Sequence, residues 1–219
     1  APQDIVDFLN QIEDTKELNI YINSGGGSVY GGLAIYNILK RHKGKKIVTV
    51  DGIAASIASI IALAGDEIII SKSAQFMIHK PWIQCSGNAS ELRASADVLD
   101  KCQKSITAIY MENVLEGISE ETITQLINKE TWMTGEEASK YFNIKVNDDK
   151  EIFACESDYF EKYNNTPSTI MNQKKNNEKI LSDDHIEQIT DKVLKCIDNK
   201  KKDEEKIKIL NDISLISFM

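Results

Sequence analysis

The strongest constraint on the fold is a repeated order of elements, in which a short β-rich segment runs into glycine or small residues and then into a helical segment. The first unit comprises residues 18–23 (LNIYIN), the glycines at 25–27 and a helical pattern over 29–40. The second comprises residues 46–50 (KIVTV) and a run of small residues over 53–64. Strands that alternate with helices favour a largely parallel sheet covered by helices. We therefore predict an α/β fold.

Further strands and helices follow along the chain. Residues 67–71 and 74–79 are predicted strands, and residues 90–116 form a long predicted helix with an apolar stripe. Ser119 and Thr134 are each predicted to open a helix, the latter in a capping box with a glutamate three residues on. The first helix is predicted over residues 2–18.

The composition changes towards the end of the chain. Residues 145–147 are predicted to turn out of the domain, and the polar stretch that follows contains Pro167 and a Lys-Lys-Asn-Asn run typical of linkers. We predict a folded domain over residues 1–158, a polar linker over 159–180 and a charged helical tail over 181–219.

Charge and hydropathy exclude some classes of function. The net charge of -8 argues against nucleic-acid binding, which needs a basic face to neutralise phosphates. The longest apolar stretch, residues 52–65, is too short to span a bilayer. Residues 1–10 carry acidic side chains and no basic region, so no signal peptide is indicated. We expect a cytoplasmic protein without nucleic-acid or membrane partners.

The cysteines do not indicate a metal site. Cys85, Cys102, Cys155 and Cys196 form no C-x-x-C pair, and the chain has 3 histidines. A zinc site of cysteine and histidine ligands is therefore not expected. We interpret the cysteines as mostly buried small side chains in a reducing compartment and expect neither a metal nor another cofactor.

Ser56 is the first candidate for chemistry. It lies between small residues in Gly52-Ile-Ala-Ala-Ser-Ile-Ala58, after a predicted strand and at the start of a predicted helix. The N–H groups at a helix start favour developing negative charge. Taken alone, the same pattern also fits an ordinary close-packed helix start. The glycines at 25–27 are a second cue, typical either of close approach to a ligand or of a tight turn.

His79 is the candidate base. It lies at the end of a predicted strand, in Met77-Ile-His-Lys-Pro81, where α/β sheets place functional loops. A serine hydroxyl needs a base of near-neutral pKa, and histidine is the usual one. The other histidines, His42 in a basic turn and His185 in the tail, are predicted to be solvated. The orienting carboxylate of a triad cannot be selected by spacing alone among the 34 acidic residues.

Three motifs in this order resemble those of the Clp peptidase family, the ClpP-like serine proteases of crotonase-type fold. Residues 21–27 (YINSGGG) resemble the family's Y-I-N-S-P-G-G turn, with Gly25 in place of proline. Residues 52–58 resemble its nucleophile motif, and residues 77–81 its M-I-H-x-P motif. The resemblance covers roughly residues 18–147. It implies a parallel sheet with covering helices, and a long handle helix between rings over residues 90–116.

The resemblance also implies roles for individual residues. Ser56 would be the nucleophile and His79 its general base, with the N–H groups of Gly27 and Ile57 forming the oxyanion hole. Glu130 stands where the family normally has the aspartate that orients the histidine. The implied activity is that of a serine endopeptidase with a protein substrate.

Departures from the family pattern point to a subgroup. Gly25, the sequence Glu130-Thr-Trp-Met and the charged tail are more similar to Clp-type proteases of tailed phages and prophages, which process capsid or scaffold proteins in the host cytoplasm. The family forms homo-oligomeric rings, commonly heptamers that pair into tetradecamers. The family's first strand has no counterpart before residue 2, so we interpret the N-terminus as incomplete, which would weaken docking of an AAA+ ATPase.

Two alternatives stay open. The nearer is a housekeeping proteolytic subunit of an ATP-dependent Clp protease, working with an AAA+ unfoldase. The other is a binding or scaffold protein of the same crotonase-type fold without catalytic activity, against which the pair Ser56 and His79 argues.

Overall fold

The structure, a computed structural model, describes residues 2–148 and 157–171. These residues belong to one unit, Ala1–Met171. Cys155, His185, Cys196, part of the predicted linker and the whole predicted tail lie outside the described residues.

The described chain contains both helices and strands, in an order close to the predicted one. They are α1 (Pro2–Leu9), β1 (Leu18–Ser24), α2 (Val29–Arg41), β2 (Lys46–Ala55), α3 (Ile57–Ala62), β3 (Glu67–Ser71), β4 (Gln75–Ile78), α4 (Ala89–Met111), α5 (Glu120–Asn128), β5 (Thr131–Thr134), α6 (Gly135–Ala138), β6 (Lys145–Asn147) and a 3-10 turn, Asp158–Glu161. None of the described helices is long and apolar enough to cross a membrane.

The strands form one curled, mostly parallel sheet around β2. Strand β1 pairs with one side of β2, while β3 and β4 pair with the first and second halves of its other side. Strand β6 extends the sheet beyond β3, and β5 extends it beyond β4 in the antiparallel direction. The predicted α/β fold with a largely parallel sheet is confirmed. Because β2 is ten residues long, it can reach both β3 and β4 and bring their ends to one place.

Burial explains why β2 is central. Its side chains alternate between buried and half-buried at first, then become buried throughout, as expected where a parallel sheet is covered on both faces. Val48 and Val50 are fully buried in the main core. The rings of Tyr110, Phe142 and Phe76 stack in sequence at centroid distances of 5.7 and 5.5 Å. This aromatic row joins α4 to the sheet.

Helix starts follow the sequence signals closely. Ser119 caps α5, and Thr134 with Glu137 forms the predicted capping box of α6. The long helix α4 opens with a further capping box between Asn88 and Glu91. Its first half is largely exposed in the single chain, with Leu92 and Val98 each more than two-fifths exposed.

Three local predictions are wrong. Helix α1 ends at Leu9 rather than residue 18, because the chain then turns and the Asp14 carbonyl accepts N–H groups from the loop after α2. Residues 145–147 form strand β6 instead of a turn out of the domain. His42 is buried rather than solvated, since its Nε2 donates to the Lys16 carbonyl at 2.6 Å. Of the cysteines, which were expected to be mostly buried, Cys102 is buried and Cys85 is exposed.

Residues 157–171, here called the C-terminal segment, pack against the sheet near the end of β2. Phe160, Tyr163 and Ile170 are buried in a small second core with Ile53 and Met77. Most of this segment falls within the range predicted as a polar linker. The segment contacts the ends of β2 and β4 and the glycine turn after β1.

Candidate active site

Ser56 lies at a sharp turn between β2 and α3. Its φ of 56° and ψ of -128° are unusual for a residue with a side chain, and such strain commonly marks functional positions. The Ser56 N–H donates to the Met77 carbonyl at 3.0 Å, which fixes the turn against β4. The hydroxyl projects from the turn at the N-terminus of α3.

His79 reaches Ser56 because of the strand register. Ala55 at the end of β2 is paired with Met77 of β4. Ser56 follows Ala55, and His79 lies two residues after Met77, so both residues lie at the carboxyl edge of the sheet. The His79 Nε2 atom lies 2.8 Å from the Ser56 Oγ atom. This is hydrogen-bond distance for a hydroxyl that transfers its proton to an imidazole. The structure thus brings the two predicted residues together.

The surroundings of His79 keep its imidazole neutral. Burial is the larger effect and lowers the pKa of His79 below its ordinary value of 6.5, while the Glu130 carboxylate acts in the opposite direction. A neutral imidazole is the form that can accept a proton from serine. The environment therefore favours the base form at neutral pH.

Glu130 is buried close to this pair but is held by other groups. Its Oε1 accepts the Asn165 N–H at 2.6 Å, and its Oε2 accepts from the Asn164 side chain at 3.1 Å. Its backbone also has a positive φ, 52°, between α5 and β5. Within residues 2–148 and 157–171, no hydrogen bond joins Glu130 to His79. The structure therefore places the predicted acid near the pair, where it acts on His79 through space.

The glycine turn after β1 faces the serine turn. Gly26 has a φ of 95°, and a Cβ atom there would lie 2.7 Å from the Ala55 carbonyl and 2.8 Å from the Ser56 Cβ. Gly27 follows with a φ of 156° and open space where a side chain would project. Ile57 is the first residue of α3, whose N–H has no acceptor within the helix. The two predicted oxyanion donors thus lie on turns that border the serine.

A cavity of about 330 Å³ opens beside these groups. Its lining includes Gly27, Ser56 and His79, together with aromatic and aliphatic side chains from α4, the loop after β4 and the C-terminal segment. Such a mixture of an apolar wall and few polar groups is typical of ligand-binding sites. The described residues contain no cluster of side chains that could hold a metal ion.

Tyr163, Asn164 and Asn165 also belong to the site, although the sequence did not predict them. Tyr163 lines the cavity and lies edge-on to His79, with ring centroids 5.0 Å apart. Burial raises the pKa of Tyr163 to about 12, although the nearby Ser56 hydroxyl acts to lower it. The helical spacing of aromatic residues at 159, 160 and 163 was the available signal, since a solvated linker has no need of it.

Comparison with known proteins identifies the family. A model of the Clp protease family matches residues 3–144. The chain belongs to the Clp protease family. Curated Clp relatives carry the name ATP-dependent Clp protease proteolytic subunit. One from Bacteroides fragilis is 32% identical over 136 residues, which cover 61% of this chain and 65% of the relative.

Two further relatives with this name show the same level of similarity. The protein from Ligilactobacillus salivarius is 33% identical over 136 residues, covering 61% of this chain and 68% of its own length. The protein from Bigelowiella natans is 31% identical over 147 residues, covering 62% and 74%. The match spans less than two thirds of the Bacteroides relatives. The Clp family match ends at residue 144, so the C-terminal segment lies beyond it.

Proposed function

We propose that this Clp family member is a serine endopeptidase with Ser56 as nucleophile and His79 as general base. The observation that carries the proposal is the 2.8 Å contact between Ser56 Oγ and His79 Nε2 at a turn with positive φ. Clp proteases are serine peptidases, which supports the assignment. The cavity beside the pair leaves room for a peptide.

The geometry supports a two-stage acyl transfer. His79 removes the hydroxyl proton as Ser56 attacks the scissile carbonyl, and the imidazolium then gives that proton to the leaving amine. For Nε2 to accept, the other ring nitrogen must carry the proton in the resting state. Water repeats the sequence to release the acyl group. No cofactor is needed for these steps.

The proposed oxyanion donors are the N–H groups of Gly27 and Ile57. Each would contribute about 3 kcal/mol to the transition state if it behaves as such donors do elsewhere. Glu130 is the proposed acid of the triad. In the arrangement described above it stabilises the imidazolium by charge, since its hydrogen bonds are with Asn164 and Asn165.

A fluorophosphonate probe tests the proposal. We expect covalent labelling of the wild-type chain, loss of labelling in Ser56→Ala, and unchanged labelling in Ser105→Ala. Ser105 is a suitable control because it is exposed on α4 and its hydroxyl donates to the Lys101 carbonyl of its own helix. A folded wild-type chain without labelling would instead favour a non-catalytic binding or scaffold protein.

The proposed substrate is a phage capsid or scaffold protein processed in the host cytoplasm, with the enzyme assembled as a homo-oligomeric ring. The phage substrate is supported by three sequence features, namely Gly25, the run that begins at Glu130 and the charged tail. The ring is supported by Leu92 and Val98, which are exposed on α4 and could contact a second copy. The names of the relatives favour the alternative, a proteolytic subunit fed by an AAA+ unfoldase.

Two assays distinguish capsid or scaffold processing from proteolysis that depends on an unfoldase. Co-expression with a major capsid protein should give a shorter capsid product with the wild-type chain and none with Ser56→Ala. Degradation of a folded substrate only when an AAA+ unfoldase and ATP are added would favour the alternative. The mass of the purified wild-type and Ser56→Ala chains shows in addition whether the chain cleaves itself.

A further inference from the structure

The C-terminal segment contacts all three parts of the proposed site. Tyr163 donates its hydroxyl to the Gly25 carbonyl at 2.6 Å, a bond between residues 138 positions apart. The same ring lies edge-on to His79, and Asn165 donates to Glu130. The segment therefore joins the glycine turn, the base and the acid.

The bond to Gly25 acts on the oxyanion turn. Gly25 is buried and precedes Gly26 and Gly27, whose backbone angles suit glycine. A carbonyl held by a buried phenol fixes the planar peptide that it shares with the Gly26 N–H. The close approach of Gly26 to the Ala55 carbonyl and the Ser56 Cβ restricts the next peptide, which carries the Gly27 N–H. The direction of the Gly27 N–H depends on this orientation.

Gly25 and the C-terminal segment also fit each other closely. A Cβ atom at residue 25 would lie 2.5 Å from the Ser157 Oγ and 3.0 Å from the Phe160 Cε1. These separations are shorter than ordinary packing, so a larger residue at this position would displace the segment. The close packing of the C-terminal segment against the turn therefore depends on glycine at position 25.

The segment builds the site without filling it. The cavity of about 330 Å³ remains open with the segment in place, and Tyr159, Lys162 and Tyr163 form part of its wall. The contact between Ser56 and His79 is made in the same arrangement. These facts favour a role in positioning over one in obstruction.

We propose that Tyr163 is a positioning residue that holds the Gly25–Gly27 turn, and with it the oxyanion donor, in the orientation needed for catalysis. The inference rests on the proposed peptidase function. It assigns a role in the site to a segment that lies beyond the family match of residues 3–144.

The test compares inactivation by a fluorophosphonate in full-length variants. Tyr163→Phe keeps the ring against His79 and removes only the hydroxyl. We expect the maximal inactivation rate to fall at least about tenfold, while the concentration for half-maximal rate changes less than about threefold, as for an interaction made in the transition state. Tyr141→Phe is the matched control, because Tyr141 packs against the main core away from the cavity and no hydrogen bond of its hydroxyl is seen within the described residues. Its rate should stay within about twofold.

A second variant approaches the same contact from the other side. Gly25→Ala should displace the segment and lower the rate by a similar factor. The double variant should lose little more than either single one, since both remove one interaction. Thermal unfolding and the labelled fraction at completion separate loss of folded protein, which lowers the amplitude, from loss of positioning, which lowers the rate constant.

The outcomes are distinct. Wild-type labelling with an unchanged rate in Tyr163→Phe would overturn the positioning role and leave the peptidase proposal intact. A slow Tyr163→Phe with unchanged Gly25→Ala would also overturn it. Absence of wild-type labelling would remove the peptidase proposal and this inference together.

Discussion

The Asn165 N–H donates to Glu130 Oε1 at 2.6 Å, so the acid beside His79 is held by backbone from the C-terminal segment. The Asn165 side chain adds hydrogen bonds to the carbonyls of Lys129 and Glu130, at 2.8 and 3.3 Å. These contacts stabilise Glu130 in its unusual backbone conformation. They also use carboxylate lone pairs that a triad would direct at histidine, so the effect of the acid on the base is one of charge.

Replacing Glu130 by glutamine should therefore have a moderate effect. The Glu130→Gln side chain has the same shape but lacks the charge that stabilises the imidazolium. We expect kcat/KM to fall about tenfold, the equivalent of roughly one pKa unit of interaction. In triads where the acid bonds directly to histidine, the amide variant costs about 10⁴-fold because the tautomer is wrong.

The control for this variant is Glu137→Gln. Glu137 is exposed and forms the capping box of α6 with Thr134, a position that glutamine also fills. The variant should therefore keep most of its stability and leave the rate per folded molecule unchanged. A loss near 10⁴-fold for Glu130→Gln would show that Glu130 bonds to His79 during turnover.

The pH dependence of activity follows from the pKa of His79. Because burial lowers this pKa below 6.5, the base should stay deprotonated at pH values where an ordinary histidine is charged. The acid limb of kcat/KM should have its midpoint below 6.5. In Glu130→Gln the midpoint should move lower still, since the carboxylate raises the pKa of His79. A midpoint above 6.5 in the wild type would contradict the burial argument.

The same shift affects stability. The unfolded chain binds a proton at His79 at a higher pH than the folded chain does, so the free energy of unfolding should fall as the pH drops through about 6.5. Below the folded pKa both states are protonated and this contribution is lost. Comparing urea unfolding of wild type and His79→Gln between pH 7.5 and 5 isolates it, because the variant lacks the group.

Gly26 gives a prediction about the glycine turn. In Gly26→Ala the new methyl group would contact the Ala55 carbonyl and the Ser56 Cβ at a φ of 95°. We expect stability to fall by about 1–3 kcal/mol and most activity to be lost, because relief of the contact must move the serine turn. Urea unfolding and fluorophosphonate labelling measure the two effects.

Gly31→Ala is the matched control. Gly31 lies in the first turn of α2, and an added Cβ there would meet Ser28 atoms only at 3.5 and 3.6 Å. Alanine is the better helix former, so stability should stay equal or rise by up to about 1 kcal/mol. Equal losses in the two variants would show that the close approach at Gly26 is unimportant.

The sequence predicted the sheet and the serine–histidine pair for identifiable physical reasons. The two strand–turn–helix units indicated that neighbouring strands run parallel. Ser56 and His79 each follow the carboxyl end of a strand, and parallel strands bring such residues to the same edge of the sheet. Lys46 illustrates the opposite case. A lysine in a sequence is normally expected to be exposed, yet Lys46 is buried and its ammonium group lies 2.8 Å from the Asp66 carboxylate. This pairing depends on the fold, which brings the two residues together.

The role of residues 157–171 could not be read from composition. A polar stretch with proline is typical of a linker, and the buried positions, Phe160, Tyr163 and Ile170, are few. Their partners are side chains on two separate strands, Ile53 and Met77, and a glycine without a side chain, so the sequence holds no local pattern that pairs them. Long-range contacts of this kind depend on the tertiary structure alone.

A final prediction concerns the buried hydroxyls beneath Ser56. Ser59 Oγ donates to the Ser56 carbonyl at 2.6 Å and lies 2.7 Å from the Tyr110 hydroxyl. A hydroxyl has one proton, so the Tyr110 phenol must be the donor in the second bond. Burial raises the pKa of Tyr110, which keeps this phenol protonated. The serine turn is thus connected to α4 through a directed chain of hydrogen bonds.

Because the hydrogen bonds run from Tyr110 to Ser59 to Ser56, replacing Ser59 and replacing Tyr110 should lower stability by different amounts. Ser59→Ala leaves the buried Tyr110 proton without an acceptor, although the Ser56 carbonyl keeps the Ser59 backbone N–H at 3.0 Å, and should cost about 2 kcal/mol. Tyr110→Phe removes only the donor and should cost about 1 kcal/mol. In the double variant the buried phenol is no longer left unpaired, so its loss should not exceed that of Ser59→Ala. Urea unfolding of the three variants measures this cycle. A larger loss for Tyr110→Phe than for Ser59→Ala would reverse the direction assigned to the chain.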